Sequence, residues 1–313
     1  MDKKIIFAGT PDFAAVHLKA LLDAGIKPIA VYTQPDRPAG RGHKLTPSEV
    51  KKVALEANID VYTPENFKNE QDIAQFEALN ADLCIVVAYG VILPQRIIDA
   101  CKFGCINVHG SILPEYRGAA PIQRALLDGC KETGVSIMKV ALKLDAGDVL
   151  TIAKLPIENT DTSGSLFDKL ATLGAKTLLE TLPKIFDKTI SATAQDESKV
   201  TYAKKISKEE AALNFNQDAT VVDRIVRGLN PWPIATVNLD DVKYKVFETT
   251  VLEDDSNKTP GTIVSVDKFG INVACAKGTL RLVTIQAPGK GPVKACDLAR
   301  SRKEVFCVGK QFE

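Results

Sequence analysis

The sequence predicts an α/β fold, in which a Rossmann-like, mostly parallel sheet is followed by a small OB-like antiparallel β-barrel. In the first half, short apolar runs alternate with segments of helical periodicity, as in sheets that are covered by helices on both faces. The run at residues 83–88 is apolar at every position, which is typical of a central strand. In the last third, short alternating runs are separated by glycine turns, which favours an antiparallel barrel.

The chain is long enough for two domains, because 313 residues can form two separate cores. Apolar periodicity stops in residues 187–205, where threonine, serine, lysine, glutamine and aspartate dominate. We therefore expect a first domain at 1–188, a linker at 189–206 and a second domain at 207–313.

The first domain begins with a strand, a turn and a helix. Residues 4–8 form an apolar strand, the chain breaks at Gly9, and Pro11 suits the first turn of a helix over 12–24. The turn lacks the G-x-G-x-x-G glycines of dinucleotide sites, so we expect a scaffold without a dinucleotide. Further strands are expected at 29–32, 60–62, 82–88, 135–140 and 149–157, and helices at 48–58, 69–80, 119–128 and 163–186.

The second domain is expected to contain mostly strands. Its helices are predicted at 221–228 and 294–303, and its strands at 235–239, 243–249, 261–266, 271–274 and 280–286. Residues 256–313 hold ten basic and four acidic side chains, a difference of +6. Such an excess is often only a solvated face, but a small basic barrel is also a common platform for nucleic acid.

Composition argues against several other classes of protein. Forty basic and 39 acidic side chains leave a net charge of only +1, so overall charge gives no hint of a nucleic-acid partner. Seven cysteines without a Cys-x-x-Cys pair, and three scattered histidines, indicate neither a disulfide framework nor a metal site. The sequence has no apolar run of about 18 residues and no room for a signal peptide before the first strand. We expect a soluble, cytoplasmic monomer that binds neither metal nor membrane.

Asn107 and His109 are the first candidates for a functional site. They are two residues apart in an apolar run, so a strand would point both side chains to one face. The run ends at Gly110 and Ser111, which places the pair where open α/β sheets hold their sites. Taken alone, the pair also fits a hydrogen-bonded core histidine beside a turn residue.

Two loops extend this candidate site. The segment 33–44 reads TQPDRPAGRGHK, and its basic groups include Arg37, Arg41 and Lys44. It is either a solvated connector or a flexible cationic clamp for phosphates or RNA. The second loop reads LDAGD and contains Asp145, whose carboxylate is equally compatible with turn chemistry or with a catalytic role.

The stretch Asn107-x-His109-x-Ser-Ile-Leu-Pro, followed by YRGAAPI, resembles the active-site signature of the tetrahydrofolate-dependent formyltransferases. Within that family the whole chain is most similar to the enzymes that act on methionyl-tRNA. The resemblance implies a formyltransferase catalytic domain followed by an OB-like tRNA-binding domain. It implies 10-formyltetrahydrofolate as co-substrate, methionyl initiator tRNA as acceptor, and a role in initiation of translation.

The resemblance also implies roles for individual residues. Asn107, His109 and Asp145 occupy the family's catalytic positions. The folate-binding element corresponds to Ser111, Ile112, Leu113 and Pro114, with isoleucine where the family has leucine. Arg41 corresponds to the arginine that contacts the acceptor arm of the tRNA, with Arg37 and Lys44 as weaker candidates.

The catalytic set alone specifies only a folate-linked formyltransferase. Relatives that share it formylate a purine precursor or a sugar nucleotide, or hydrolyse the formyl-folate. The loop at 33–44 and the basic C-terminal end favour an RNA-borne amine, and a sugar-nucleotide enzyme is the first alternative. A non-catalytic RNA-binding module is the alternative from another class, and the intact Asn107, His109 and Asp145 argue against it.

Overall fold

The computed structural model describes residues 3–39, 44–254 and 256–313. The chain forms two compact units, each built from several segments. The first contains Met1–Pro121, Glu132–Pro156 and Phe167–Ala203, and the second contains Ile122–Lys131, Ile157–Leu166 and Lys204–Glu313. The domain bounds expected from the sequence stay a prediction.

The chain up to the end of the first unit contains eleven strands and six helices within the described residues. The strands are β1 (Ile5–Gly9), β2 (Ala30–Tyr32), β3 (Arg37–Ala39), β4 (Lys44–Thr46), β5 (Val61–Tyr62), β6 (Leu83–Val87), β7 (Cys105–His109), β8 (Arg117–Gly118), β9 (Glu132–Lys139), β10 (Val149–Pro156) and β11 (Tyr202–Ala203). The helices are α1 (Asp12–Asp23), α2 (Glu49–Glu56), α3 (Glu70–Ala78), α4 (Gln95–Asp99), α5 (Pro121–Leu127) and α6 (Ser163–Phe186).

Seven of these strands form one sheet in the order β10-β9-β7-β6-β1-β2-β5. The five strands from β7 to β5 run parallel to one another, whereas β9 pairs antiparallel with β7 and β10 pairs antiparallel with β9. Strand β1 is buried at every position, as expected for the centre of a sheet covered on both faces. The mostly parallel α/β fold predicted from the sequence is therefore confirmed.

Apolar faces hold the helices against this sheet. Helix α1 buries Phe13, Leu18 and Leu21, which recur at the spacing of one helical face. Helix α2 begins after Ser48, whose hydroxyl accepts a hydrogen bond from the Lys51 amide at 3.0 Å. The long helix α6 has the bounds that the sequence predicts for it.

The described residues on either side of 40–43 form two paired strands, named here the β3–β4 hairpin. Strands β3 and β4 pair in antiparallel register, with Arg37 opposite Thr46. The hydroxyls of Thr33 and Ser48 are 2.7 Å apart, so the base of the hairpin joins the end of β2 to the start of α2. Arg41, the residue that the resemblance singles out, lies outside the described residues. Of Lys44 only the backbone is described.

From Lys204 onward, the described residues of the second unit form an antiparallel sheet and two α-helices. Its elements are α7 (Ala219–Gly228), β12 (Ala235–Leu239), β13 (Val242–Leu252), β14 (Ile263–Val266), β15 (Ile271–Ala274), β16 (Thr279–Gln286), β17 (Val293–Lys294) and α8 (Ala295–Ser301). The strand order is β12-β13-β16-β15-β14, and β17 pairs with β16. The side chains of Val222, Val246 and Leu282 lie in its core. An antiparallel second domain was predicted and is confirmed.

None of the helices within residues 3–39, 44–254 and 256–313 has the length and apolar character that crossing a bilayer requires.

His17 is a polar residue in the core of the first unit. Its ring is fully buried, 4.9 Å from the ring of Phe13. Nδ1 is 2.7 Å from the carbonyl oxygen of Phe13, and Nε2 has no hydrogen-bond partner among the described residues. Burial lowers the pKa of His17 from 6.5 to about 4, because the buried ring cannot hydrate a positive charge.

We expect His17 to make the protein less stable as the pH falls from about 6.5 to about 4. In this range the unfolded chain binds a proton at His17 and the folded chain does not, so the loss approaches roughly 3 kcal/mol. Chemical denaturation across this pH range should show a flatter profile for His17→Gln than for the wild type. Parallel profiles would contradict a neutral buried His17.

Candidate active site

Asn107 and His109 lie on β7, where the parallel part of the sheet meets an antiparallel strand. In the register of the sheet, Asn107 is opposite Val86 on one side and Met138 on the other. The two side chains share a face of the strand, with their Cα atoms about 7 Å apart. His109 is the last residue of β7, at the carboxyl edge of the parallel strands. The strand therefore brings together the first two predicted site residues.

His109 is held by a backbone carbonyl and faces a carboxylate. Its Nε2 lies 2.9 Å from the carbonyl oxygen of Tyr116, and because a carbonyl can only accept, Nε2 carries the hydrogen. Nδ1 lies 3.8 Å from Oδ2 of Asp145, beyond hydrogen-bond distance. The imidazole is 6% exposed, so both contacts lie in a largely dehydrated place.

Asp145 reaches His109 because its loop folds back onto the sheet. The residue has φ of +47°, a left-handed conformation that asparagine and aspartate adopt more readily than most residues. Its Oδ2 accepts a hydrogen bond from the Gly118 amide at 2.9 Å. The structure thus brings Asp145 to the histidine, as the resemblance requires.

Residues 116–118 connect the histidine and the aspartate. The carbonyl of Tyr116 accepts from His109, and two residues later the amide of Gly118 donates to Asp145. Gly118 has φ of +119°, and a Cβ there would lie 2.8 Å from the carbonyl oxygen of Ala203. A residue other than glycine would therefore displace the amide that binds Asp145.

The predicted folate-binding residues, Ser111, Ile112, Leu113 and Pro114, form a turn directly after β7. The Ser111 hydroxyl donates to the Glu115 carbonyl at 2.6 Å and so stabilises the turn itself. Leu113 is buried, whereas Ile112 and Pro114 are half-buried. The turn therefore presents apolar side chains and leaves the serine hydroxyl bound to backbone.

Two residues that the sequence analysis missed support these groups. Ser136 on β9 donates to the Ser111 carbonyl at 2.7 Å and accepts from the Leu113 amide at 3.0 Å. A buried serine within the apolar run of β9 is a signal that could have identified it. Gln195 donates to the carbonyl oxygens of Asp145 and Gly147. It lies in the segment read as a linker, and no sequence signal distinguishes it.

Within the described ranges, no group of three or more histidine, cysteine, aspartate or glutamate side chains could hold a metal ion. The site is instead a set of hydrogen-bond donors and acceptors on a fixed backbone. An imidazole, an amide side chain and a carboxylate at one edge can stabilise an oxyanion and transfer a proton. Such a set suits the attack of an amine on an acyl carbon.

Several solved structures are similar to this one. An N-formyltransferase from Helicobacter canadensis, in complex with folinic acid and dTDP-3-aminofucose, has a TM-score of 0.66 and 18% identity, over 91% of this chain and 98% of that one. WlaRD, a sugar 3N-formyl transferase with dTDP and 5-N-formyl-THF, has a TM-score of 0.66 and 16% identity, over 93% and 100%. HypX from Aquifex aeolicus, in complex with tetrahydrofolic acid, has a TM-score of 0.63 and 16% identity, over 96% and 47%. At these identities the likeness establishes a shared fold.

Family models give the more specific result. The model described as formyl transferase matches residues 3–182, which include Asn107, His109 and Asp145. The model described as formyl transferase, C-terminal domain, matches residues 205–303. Because the first match alone spans more than half of the 313 residues, this chain belongs to the formyl transferase family.

Proposed function

We propose that this protein transfers the formyl group of 10-formyltetrahydrofolate to the amino group of methionyl initiator tRNA, for initiation of translation. Formyl transfer itself follows from the family. The folate donor is supported by the folate derivatives bound in similar structures. For the tRNA acceptor, the main observation is the basic loop at 33–44, whose described arms rise from the edge of the sheet that holds His109.

The proposed reaction forms one bond and breaks another. The amine nitrogen attacks the formyl carbon and forms a new C–N bond, which gives a tetrahedral intermediate with an oxyanion. The bond between the formyl carbon and N10 of the folate then breaks. The amine loses one proton and N10 gains one, so the products are a formamide and tetrahydrofolate. The site must therefore stabilise a negative oxygen and move one proton.

His109 and Asp145 are placed for these two tasks. Nδ1 of His109 lies 3.8 Å from Oδ2 of Asp145 and forms no hydrogen bond with it. In the protonated ring, Nδ1 carries an N–H donor. That donor would stabilise the oxyanion while Tyr116 fixes the ring through Nε2. Asp145 is placed to accept the amine proton, directly or through water, and to pass it toward N10.

Asn107 and the turn after β7 complete the proposed site. The amide of Asn107 adds N–H donors on the face of β7 that carries His109. The apolar side chains of Ile112, Leu113 and Pro114 suit the flat ring of a pterin, since small-molecule pockets are mostly apolar. Ser111 contributes through the shape of the turn, because its hydroxyl is bound to Glu115.

Charge in the second unit supports an RNA acceptor. Three basic side chains, Lys268, Arg300 and Lys303, line a cavity of about 360 Å³. Phe269 is 57% exposed, and the Lys268 ammonium lies 4.9 Å from the centre of its ring. Basic groups next to an exposed ring are suited to the phosphates and bases of RNA.

A sugar-nucleotide amine is the second candidate acceptor. One similar structure is an N-formyltransferase in complex with dTDP-3-aminofucose, and another is a sugar 3N-formyl transferase. The matches with this chain cover 98% and 100% of those two chains. The reaction at the formyl carbon is the same for both acceptors, so the geometry around His109 does not separate them. A direct comparison of acceptors does.

We expect labelled formyl from 10-formyltetrahydrofolate to appear on methionyl initiator tRNA in a single turnover, and not on a dTDP-3-amino sugar. His109→Ala should lower the rate on the order of 100-fold or more, which is typical when one oxyanion donor is lost. Quench-flow sampling with separation of the two acceptors measures both effects.

His17→Gln is the matched control, because it replaces a buried histidine of the same unit that lies on α1. At neutral pH it should transfer formyl at nearly the wild-type rate. Labelling of the sugar alone would retain formyl transfer and overturn the RNA acceptor. Release of labelled formate with neither acceptor labelled would overturn the proposed transfer in favour of hydrolysis.

A second prediction concerns the loop at 33–44. We expect Arg41→Ala to raise the KM for the tRNA about tenfold or more and to leave the KM for the folate nearly unchanged. The reason is that a hydrogen bond to a charged group contributes about 1.5–3 kcal/mol. Steady-state kinetics with each substrate varied in turn gives both constants.

Arg96→Ala provides the control for charge alone. Arg96 is an exposed arginine of the first unit whose guanidinium is bound by Glu70 and Glu77 at 2.8 and 2.7 Å. Its replacement removes the same charge from a place already paired with carboxylates, so the KM for the tRNA should stay near the wild-type value. Equal effects of Arg41→Ala on both KM values would contradict the assignment of the loop.

A further inference from the structure

Residues 195–203 lie against the active site, although the sequence assigns them to a linker. Strand β11 pairs in parallel with β8, which belongs to the segment that binds His109 and Asp145. The Tyr116 amide donates to the Thr201 hydroxyl at 2.8 Å, and the Arg117 amide donates to the Thr201 carbonyl at 2.9 Å. Residues 195–203, called the outer wall below, are therefore hydrogen-bonded to the segment that binds His109 and Asp145.

Gln195 connects the outer wall to the loop that holds Asp145. Its side-chain nitrogen donates to the carbonyl oxygens of Asp145 at 2.9 Å and Gly147 at 2.7 Å. Its side-chain oxygen accepts from Arg117, at 3.0 Å from Nε and 2.8 Å from Nη2. Carbonyls only accept and a guanidinium only donates, so the two sides of the amide cannot be exchanged. The amide is held in one orientation by four partner atoms.

Arg117 is in turn held on its far side. Its side chain is fully buried, and Nη2 also donates to Glu197 at 2.8 Å. The second oxygen of Glu197 accepts from Lys143 at 2.6 Å. The hydrogen bonds from Arg117 and Lys143 lower the pKa of the Glu197 carboxyl to about 2, so this anchor stays charged at neutral pH.

The contacts of Gln195 and Arg117 lie on both sides of the hydrogen bond between the Gly118 amide and the Asp145 carboxylate. Gln195 binds the backbone at Asp145, which has φ of +47° and so depends on its surroundings to keep that conformation. Arg117 is the residue before Gly118, whose amide donates to the Asp145 carboxylate. Gln195 thus contacts both the backbone that carries the Asp145 carboxylate and the side chain of the residue before its hydrogen-bond donor.

We propose that Gln195 is a positioning residue for formyl transfer, which acts by holding the backbone of Asp145 and Gly147 while Arg117 anchors its side-chain oxygen. The inference rests on the proposed function only in taking Asp145 as a participant in the reaction. Gln195 lies outside the residues that touch the reacting atoms, so its replacement should leave the groups themselves intact.

Gln195→Glu separates the two contacts of this side chain. A carboxylate keeps an acceptor for Arg117 but removes both donors to the loop and places negative charge against two carbonyl oxygens. We expect the kcat of the full-length protein to fall on the order of 10- to 100-fold, as for a catalytic group displaced by about 1 Å. The KM for 10-formyltetrahydrofolate should change by less than about twofold. Unchanged kcat would overturn the proposal.

Hydrogen exchange tests, independently of activity, whether the loop that holds Asp145 stays in place. In Gln195→Glu, amides in the peptide that covers residues 141–148 should exchange faster, while those of β1 and β6 should exchange as in the wild type. Unchanged exchange in that peptide would overturn the proposal. Exchange could instead be faster throughout the first unit, together with a smaller fraction of the protein that binds folinic acid in a titration. That result would also overturn the proposal, in favour of a general structural role.

Gln311→Glu is the matched control, because Gln311 donates through the same amide group to the carbonyl oxygen of Pro260 at 2.9 Å in the second unit. It should leave kcat and the exchange of residues 141–148 unchanged. The kcat ratio is measured with whichever acceptor the wild type labels. If the wild type labels neither acceptor, the proposed function fails, and the exchange result alone decides the role of Gln195.

Discussion

The candidate active site depends on the backbone of residues 116–118. Its two polar groups, the Tyr116 carbonyl and the Gly118 amide, are the partners of His109 and Asp145. Because both partners come from one short segment, the distance between the imidazole and the carboxylate is fixed by backbone geometry. The close approach of Ala203 at Gly118 explains why this position requires glycine.

The sheet provides the edge on which that segment acts. Strands β6 and β7 are parallel, so their carboxyl ends meet at one edge, and His109 ends β7 there. The antiparallel β9 places Ser136 opposite His109, where its hydroxyl stabilises the following turn. Strand β9 thus pairs with the strand that carries His109 and also stabilises the candidate folate-binding turn.

The sequence predicts the parts of the site that depend on local pattern. Strand β7 with Asn107 and His109, the turn that follows, and the bounds of α6 come from apolar periodicity and from residues adjacent in the chain. The contacts of Ser136 and Gln195 join positions 25 and 78 residues apart. The apolar run of β9 marks Ser136 as unusual, but no local pattern identifies the partners of either residue. A polar segment such as 195–203 is read as a linker because its partners are backbone groups elsewhere in the chain. The β3–β4 hairpin was missed for a different reason: it pairs residues at most nine positions apart, but the segment 33–44 is polar and rich in proline and glycine and lacks the alternation of a strand.

The choice of acceptor is separable from the formyl chemistry. An amine on a sugar and an amine on an aminoacyl-tRNA present the same nucleophile, so the catalytic roles proposed for Asn107, His109 and Asp145 apply to either one. What differs is the body attached to the amine, which for tRNA carries many phosphates and is much larger than the site. Discrimination must therefore come from surfaces away from the reacting atoms, where charge acts over distances of about 8–10 Å at moderate salt. The basic loop at 33–44 and the basic cavity of the second unit are surfaces of that kind, which is why the proposed assignment of the acceptor depends on them and not on the proposed catalytic residues.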